Sequence, residues 1–186
     1  MKLLLAIFVF MNLAIADEYI KKDSKIFIDG TEVGTVYKGT QVKKAGDQYT
    51  ASGWVMKDNE YILFHSNSER IKLLRIDNKY IKDYTQTETK KDVYEVTWRK
   101  AELTFVIKEK DVTSDNFDQV WAAEKELYMR CGTCHSPHPV DEFTVNQWPS
   151  MIKAMSSNAG LSKEEVKTLS AHRQYLRLQQ LQGAKK

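Results

Sequence analysis

Only two of the 186 residues are cysteine, so the chain holds no framework of structural disulfides and cannot build a four-thiolate metal site. Proline is almost as scarce: Pro137, Pro139 and Pro149 are the whole complement, and the first two bar a helix from the stretch that contains them. Neither sign of charge dominates. The 28 basic and 25 acidic side chains are interspersed, which leaves no basic face for nucleic acid or a membrane surface. No internal repeat is visible. After residue 16 there is no apolar run of the roughly 20 residues that a spanning helix needs, so no stable membrane insertion is expected.

The one apolar run opens the chain. Residues 1–16 carry a single lysine, Lys2, a short apolar core broken at Asn12, and the small-x-small site Ala14-Ile15-Ala16 before Asp17. This is the pattern of a cleaved secretory signal peptide; the alternative, an uncleaved anchor, asks for a longer apolar stretch. Removal takes away only Lys2 among the charges, leaving 27 basic side chains against 25 acidic ones. Export also carries two thiols into an oxidising compartment, where they pair with each other unless something captures them.

Two regions with different periodicity follow, giving expected domains over residues 17–113 and 114–186. In the first, short β-branched and aromatic runs alternate with turn signals: Ile26-Phe27-Ile28 before Asp29-Gly30, Val33 to Tyr37, Gly53-Trp54-Val55, Tyr61 to Phe64, Ile71 to Ile76, Val93 to Trp98 and Leu103 to Ile107. The clearest period-two alternation is Val93 to Trp98. Val33 to Val42, with its Gly39-Thr40 turn, and the later Gly53-Trp54 pair resemble bacterial Src-homology-3-like domains. In the second region Phe117, Val120, Trp121, Leu127 and Tyr128 fall at helical spacing behind a cap at Ser114 or Asp115. A second helix is expected from Thr144–Trp148, with Pro149 in its first turn and Gly160 as its end. Ser162 and Glu165 form a capping box for a third, running to about Gln180. The expected fold class is α+β: a small antiparallel, Src-homology-3-like β unit followed by a three-helix domain.

The three-helix domain contains Cys131-Gly132-Thr133-Cys134-His135, which makes it an expected c-type haem domain. C-x-x-C-H lets two thiols bond to the vinyl groups of one haem while the next imidazole ligates its iron. Both cysteines of the chain are used. A disulfide or thioredoxin-like pair is the competing reading, but a thioredoxin motif follows a strand in a βαβ unit, and a dithiol has no use for the histidine. Cys131 and Cys134 are thus assigned to covalent attachment of one haem c and His135 to proximal iron ligation, its other ring nitrogen donating to a backbone carbonyl. For the sixth ligand the candidates are His138, Met151, Met155 and His172. His138 is too close to the proximal residue to reach the opposite face. Met151 and Met155 lie four apart and share a helix face, although both also suit a core. Met155 is the probable distal ligand, Met151 the second choice and His172 the third.

The run Glu126-Leu127-Tyr128-Met129-Arg130-Cys131, continued by Cys134-His135-Ser136-Pro137-His138-Pro139, Glu142-Phe143-Thr144-Val145-Asn146-Gln147-Trp148 and Ile152-Lys153-Ala154-Met155, resembles the C-terminal monohaem domain of TorC-type cytochromes. The resemblance implies a periplasmic c-type cytochrome of anaerobic respiration. Its partners would be a molybdenum-dependent trimethylamine N-oxide or S-oxide reductase and an upstream quinol dehydrogenase or cytochrome donor. It places Met155 at the Ile-Lys-x-Met position, and gives Asn146, Gln147 and Trp148 to haem packing or docking or else to the start of a buried helix. The chain departs from the family in having no second C-x-x-C-H, so no tetrahaem quinol-oxidising module, which implies a free-standing carrier. Electron transfer rather than enzyme activity is expected, since no distal His-Arg pair is evident. The alternative is a haem-containing sensor or regulatory module for a periplasmic redox partner, with the β region as its binding part.

Overall fold

The computed structural model describes residues 16–110 and 112–184; the expected signal peptide lies outside them but for Ala16. Ten strands precede and flank the helices: β1 (Ala16–Ile20), β2 (Ser24–Ile28), β3 (Thr31–Val36), β4 (Gln41–Ala45), β5 (Gln48–Met56), β6 (Asn59–Phe64), β7 (Lys72–Ile76), β8 (Thr85–Lys91), β9 (Thr97–Val106) and β10 (Thr113–Ser114). Asp29 and Gly30 join β2 to β3 with φ of 48° and 77°, the left-handed pair that a two-residue hairpin requires.

Every strand pairing is antiparallel, and one of them decides the architecture. β5 pairs along its whole length with β9, from Gln48↔Val106 to Met56↔Trp98, and this closes the strands β5-β6-β7-β3-β2-β9 into a six-stranded barrel. Closure needs backbones to cross closely. A Cβ on Gly34 of β3 would lie 2.0 Å from the Arg75 carbonyl oxygen, and one on Gly53 of β5 2.2 Å from that of Phe64, so both positions exclude a side chain. β4, β1 and β10 extend from the first half of β5, while β8 lines the outer edge of β9. All seven residues of β8 are exposed. Inside, Ile26, Val36, Leu63, Leu74, Ala101 and Leu103 are almost wholly removed from water.

Four helices follow the strands among the described residues: α1 (Phe117–Val120), α2 (Ala122–Tyr128), α3 (Trp148–Met155) and α4 (Lys163–Gly183), with α2 and α3 both packed on α4. The first expected helix is split, because Trp121 leaves helical geometry at φ −109° and ψ 12°, and its cap is Asn116, whose side chain accepts from Gln119 N. The capping box of Ser162 and Glu165 begins α4, and Gly160 sits at φ 62° after α3.

The expected small Src-homology-3-like β unit followed by a three-helix haem domain is overturned. The β part is a ten-strand sheet, six strands of which close as a barrel, and its apolar cluster continues into the second region through Val120, Trp121, Val145, Tyr175 and Leu178. The Gly39-Thr40 turn that suggested the smaller fold does other work. Gly39, at φ 85°, lies directly under Trp121 and Tyr175, where a Cβ would come within 2.3 Å of the indole and 2.7 Å of the phenol ring. Thr40 Oγ1 donates to the Leu73 carbonyl at 2.7 Å. Beside this turn Lys38 Nζ donates to both Glu124 carboxylate oxygens at 2.7 Å, and the pair is largely buried. The second region of the chain is therefore seated on the barrel by a glycine, an indole and a buried ion pair.

Gly39→Ala should destabilise the protein by about 2–4 kcal/mol, combining the left-handed backbone with overpacking against Trp121. Gly30→Ala, also at positive φ but with nothing within 4 Å of the new Cβ, should cost only about 1 kcal/mol. Urea unfolding midpoints of the two variants measure the difference.

Candidate functional site

α2 delivers the chain into a tight 3-10 turn, Met129–Thr133, which carries the first thiol; the second follows at once. The turn is braced by Thr133 Oγ1, which donates to the Arg130 carbonyl at 2.9 Å. Cys131 is buried and Cys134 exposed, and both are free thiols. Burial pushes the Cys131 thiol above its usual range, against the pull of the nearby Arg173 guanidinium. Cys131 belongs to a compact apolar cluster with Tyr128, Trp148, Ile152 and Leu169, rimmed by half-buried Leu127, Val140, Phe143, Met155, Leu161 and Val166.

His135 is exposed, and its Nδ1 lies 2.8 Å from the Ser136 carbonyl oxygen. Donation to that carbonyl puts the free lone pair on Nε2, the tautomer an iron ligand requires. The His138 ring stands 5.2 Å from the His135 ring, and His138 Nδ1 is 2.9 Å from Glu142 Oε2. Rings then continue edge to face from His138 to Phe143 and from Phe143 to Trp148. The loop that follows the thiols is thus fixed by aromatic packing and by two hydrogen bonds onto one acceptor, the His138 carbonyl. Tyr128 Oη donates to it at 2.7 Å and Arg173 Nη2 at 3.2 Å.

The candidates for the sixth ligand separate in space, and α4 shows why. Residues four apart share a helix face: Leu169 and Arg173 face the thiol cluster, whereas Tyr175 and Leu178 belong to the barrel core. His172 lies with the latter. Its ring stacks on Trp121 at 5.5 Å and 21°, and its Nδ1 has no hydrogen-bond partner. Met155 packs on the cluster containing Cys131; Met151, half-buried on the same helix, is outside it. Asn146 braces the barrel instead of the thiol loop, accepting from Arg70 N at 2.9 Å and donating to the Ser68 carbonyl at 2.6 Å. Gln147 accepts from Thr144 N at the start of α3, and Trp148 is fully buried with its Nε1 donating to the Val140 carbonyl.

These residues fit a covalently held haem. One thiol faces an apolar cluster and the other solvent, an imidazole stands next to them with Nε2 free, and half-buried apolar side chains rim the cluster where a macrocycle would cover them. Among the described residues no three His, Cys, Asp or Glu side chains converge as a metal cage, and no helix is long and apolar enough to cross a membrane. Tyr128 and Arg173 were not among the sequence candidates. Arg173 lies far along the chain from the thiols, and nothing in the local pattern of α4 marks it.

No family model and no solved structure matches the chain. Among curated proteins it is similar to the cytochrome c-type protein TorY of Escherichia coli O157:H7, 30% identical over 151 residues, which cover 77% of this chain and 41% of that protein. It is also similar to the cytochrome c-type protein TorY of Haemophilus influenzae, 24% identical over 137 residues, with 72% and 37% covered. The chain spans about two fifths of the length of these curated relatives.

His172 generates an acid-stability prediction. Burial, reinforced by the positive charges of Arg173, Lys38 and Lys125, holds its pKa down to about 4 from the usual 6.5. The neutral ring is the folded form, so its contribution is complete above about pH 6.5 and is lost as pH falls toward 4, about 3 kcal/mol in all. His172→Phe, which keeps an aromatic ring on Trp121, should flatten this part of the stability profile when urea unfolding is followed from pH 7 to pH 4.

Proposed function

The likeness to TorY proteins supports a TorY/TorC-like cytochrome c family, and on that premise we propose that the chain is a periplasmic monohaem electron carrier. It receives electrons from a quinol dehydrogenase or another cytochrome and passes them to a terminal reductase, of the molybdenum-dependent type that reduces trimethylamine N-oxide or an S-oxide. The observation that carries the reading is the turn holding Cys131, Cys134 and His135, with His135 Nδ1 directed at the Ser136 carbonyl.

Cys131 and Cys134 would hold the haem covalently, through thioether links. His135 ligates the iron through Nε2, and its bond to Ser136 fixes the plane of the ring. Met155, from the rim of the thiol cluster, is the distal ligand, with Met151 the second choice. A thioether there raises the reduction potential relative to a second imidazole. Haem supplies a one-electron couple, so the protein's part is attachment, axial ligation and a dry apolar seat, and no acid–base group is required. A second reading, a haem-bearing sensor or regulatory module, draws on the tip of the β8–β9 hairpin, where Val93 and Tyr94 are 91% and 76% exposed.

The purified periplasmic protein should carry one haem per chain by mass and by pyridine haemochrome spectrum, and Cys131→Ala or Cys134→Ala should lower attachment sharply. A mass without an added macrocycle sinks the reading. The oxidised protein should show the weak near-infrared sulfur-to-iron band, lost in Met155→Leu and kept in Met151→Leu. Rapid stoichiometric carbon monoxide binding to the reduced protein would instead mark an open iron site and favour the sensor.

A further inference from the structure

We propose that Arg173 pairs with a propionate carboxylate of the attached haem, seating the macrocycle and raising its reduction potential. This rests on the covalent-haem reading above and adds the residue that completes the site electrostatically. Arg173 is only 7% exposed. Burying a guanidinium costs several kcal/mol unless an anion or a full set of hydrogen bonds compensates it. Two rings lie against it: the guanidinium carbon is 4.0 Å from the Tyr128 ring centroid and 4.5 Å from that of Trp148, the rings standing at 78° to each other. Its N–H groups are less well supplied. Of five N–H donors, one on Nη2 reaches the His138 carbonyl, Nε has no partner, and no carboxylate pairs with it among the described residues.

The half-buried Lys38 shows the contrast, since it holds both oxygens of Glu124. A largely buried planar cation set in the angle between two rings, with one hydrogen bond and most of its fork unfilled, suits a bidentate carboxylate. Haem brings two, and it is anchored next door, for Arg173 shares its face of α4 with Leu169 and borders the cluster containing Cys131. A fixed positive charge there also favours the iron state with the lower positive charge, the reduced one.

The test uses holoprotein made in cells that attach haem: wild type, R173K and R173Q. Haem content by mass and pyridine haemochrome comes first, and its absence from wild type would remove the covalent-haem reading rather than this one. With haem in place, R173Q should shift the reduction equilibrium at least tenfold toward the oxidised form, 59 mV for one electron. R173K, which keeps the charge and loses the fork, should shift it less. An R173Q holoprotein with lowered melting temperature and unchanged potential would overturn the proposal, leaving Arg173 as a brace for the His138 loop. Should R173Q not fold, carbon-13 NMR of wild type labelled at the haem carboxyls decides: one propionate should stay ionised to lower pH than the other, and two that titrate together would overturn the pairing.

Discussion

Trp121 lying on the bare backbone of Gly39 is the contact on which the rest of the structure depends. A ring approaches a turn this closely only where the turn lacks a side chain, and here the glycine also adopts the left-handed backbone that turns β3 toward β4. Around that point the indole, Tyr175, His172 and the Lys38–Glu124 pair form a seam between barrel and helices. Trp121 breaks helical geometry to reach it, and the direction in which α2 then leaves sets where Cys131 arrives.

α4 carries that constraint across the molecule. One face, through Tyr175 and Leu178, is sealed into the barrel core, and the other, through Leu169 and Arg173, supports the thiol cluster and the loop after it. The thiol turn itself is short and in part exposed, so its geometry is borrowed from a long helix already anchored elsewhere. This also explains why His172 and Arg173, adjacent in sequence, serve different surroundings: one step along a helix turns the side chain by about 100°. Burial keeps the imidazole neutral against the indole, while the guanidinium lies against the Tyr128 and Trp148 rings.

Local signals in the sequence were legible and long-range ones were not. The thiol pair with its histidine, the capping box at Ser162 and Glu165, Pro149 in the first turn of α3, and Gly160 after it all act within a few residues, so spacing alone exposes them. The barrel depends on β5 finding β9, about fifty residues away, and nothing in either strand names its partner. β8 reads Thr-Gln-Thr-Glu-Thr-Lys-Lys and buries none of its residues, so it offers no apolar alternation to detect. Val93 to Trp98 alternates well yet is mostly a turn: the Asp92 carboxylate accepts from Tyr94 N, Val96 N and Trp98 Nε1, and Glu95 takes φ of 61°. Side-chain hydrogen bonds there outweigh the strand preference of the apolar residues. Arg173 stayed hidden for the same reason as the barrel, since its role exists only once α4 lies beside the thiol turn.

The polar character of β8 has a bearing on solubility. A sheet that does not close on every side leaves a row of free amides and carbonyls, an invitation to strand exchange between copies. Here the outermost members are a two-residue strand at one end and, at the other, a hydrophilic ribbon ending in Lys90 and Lys91. The first is too short to template a newcomer. The second is wholly exposed and hydrophilic, with no apolar side chain to hold an added strand, which discourages fibrous self-assembly of a protein so rich in strands.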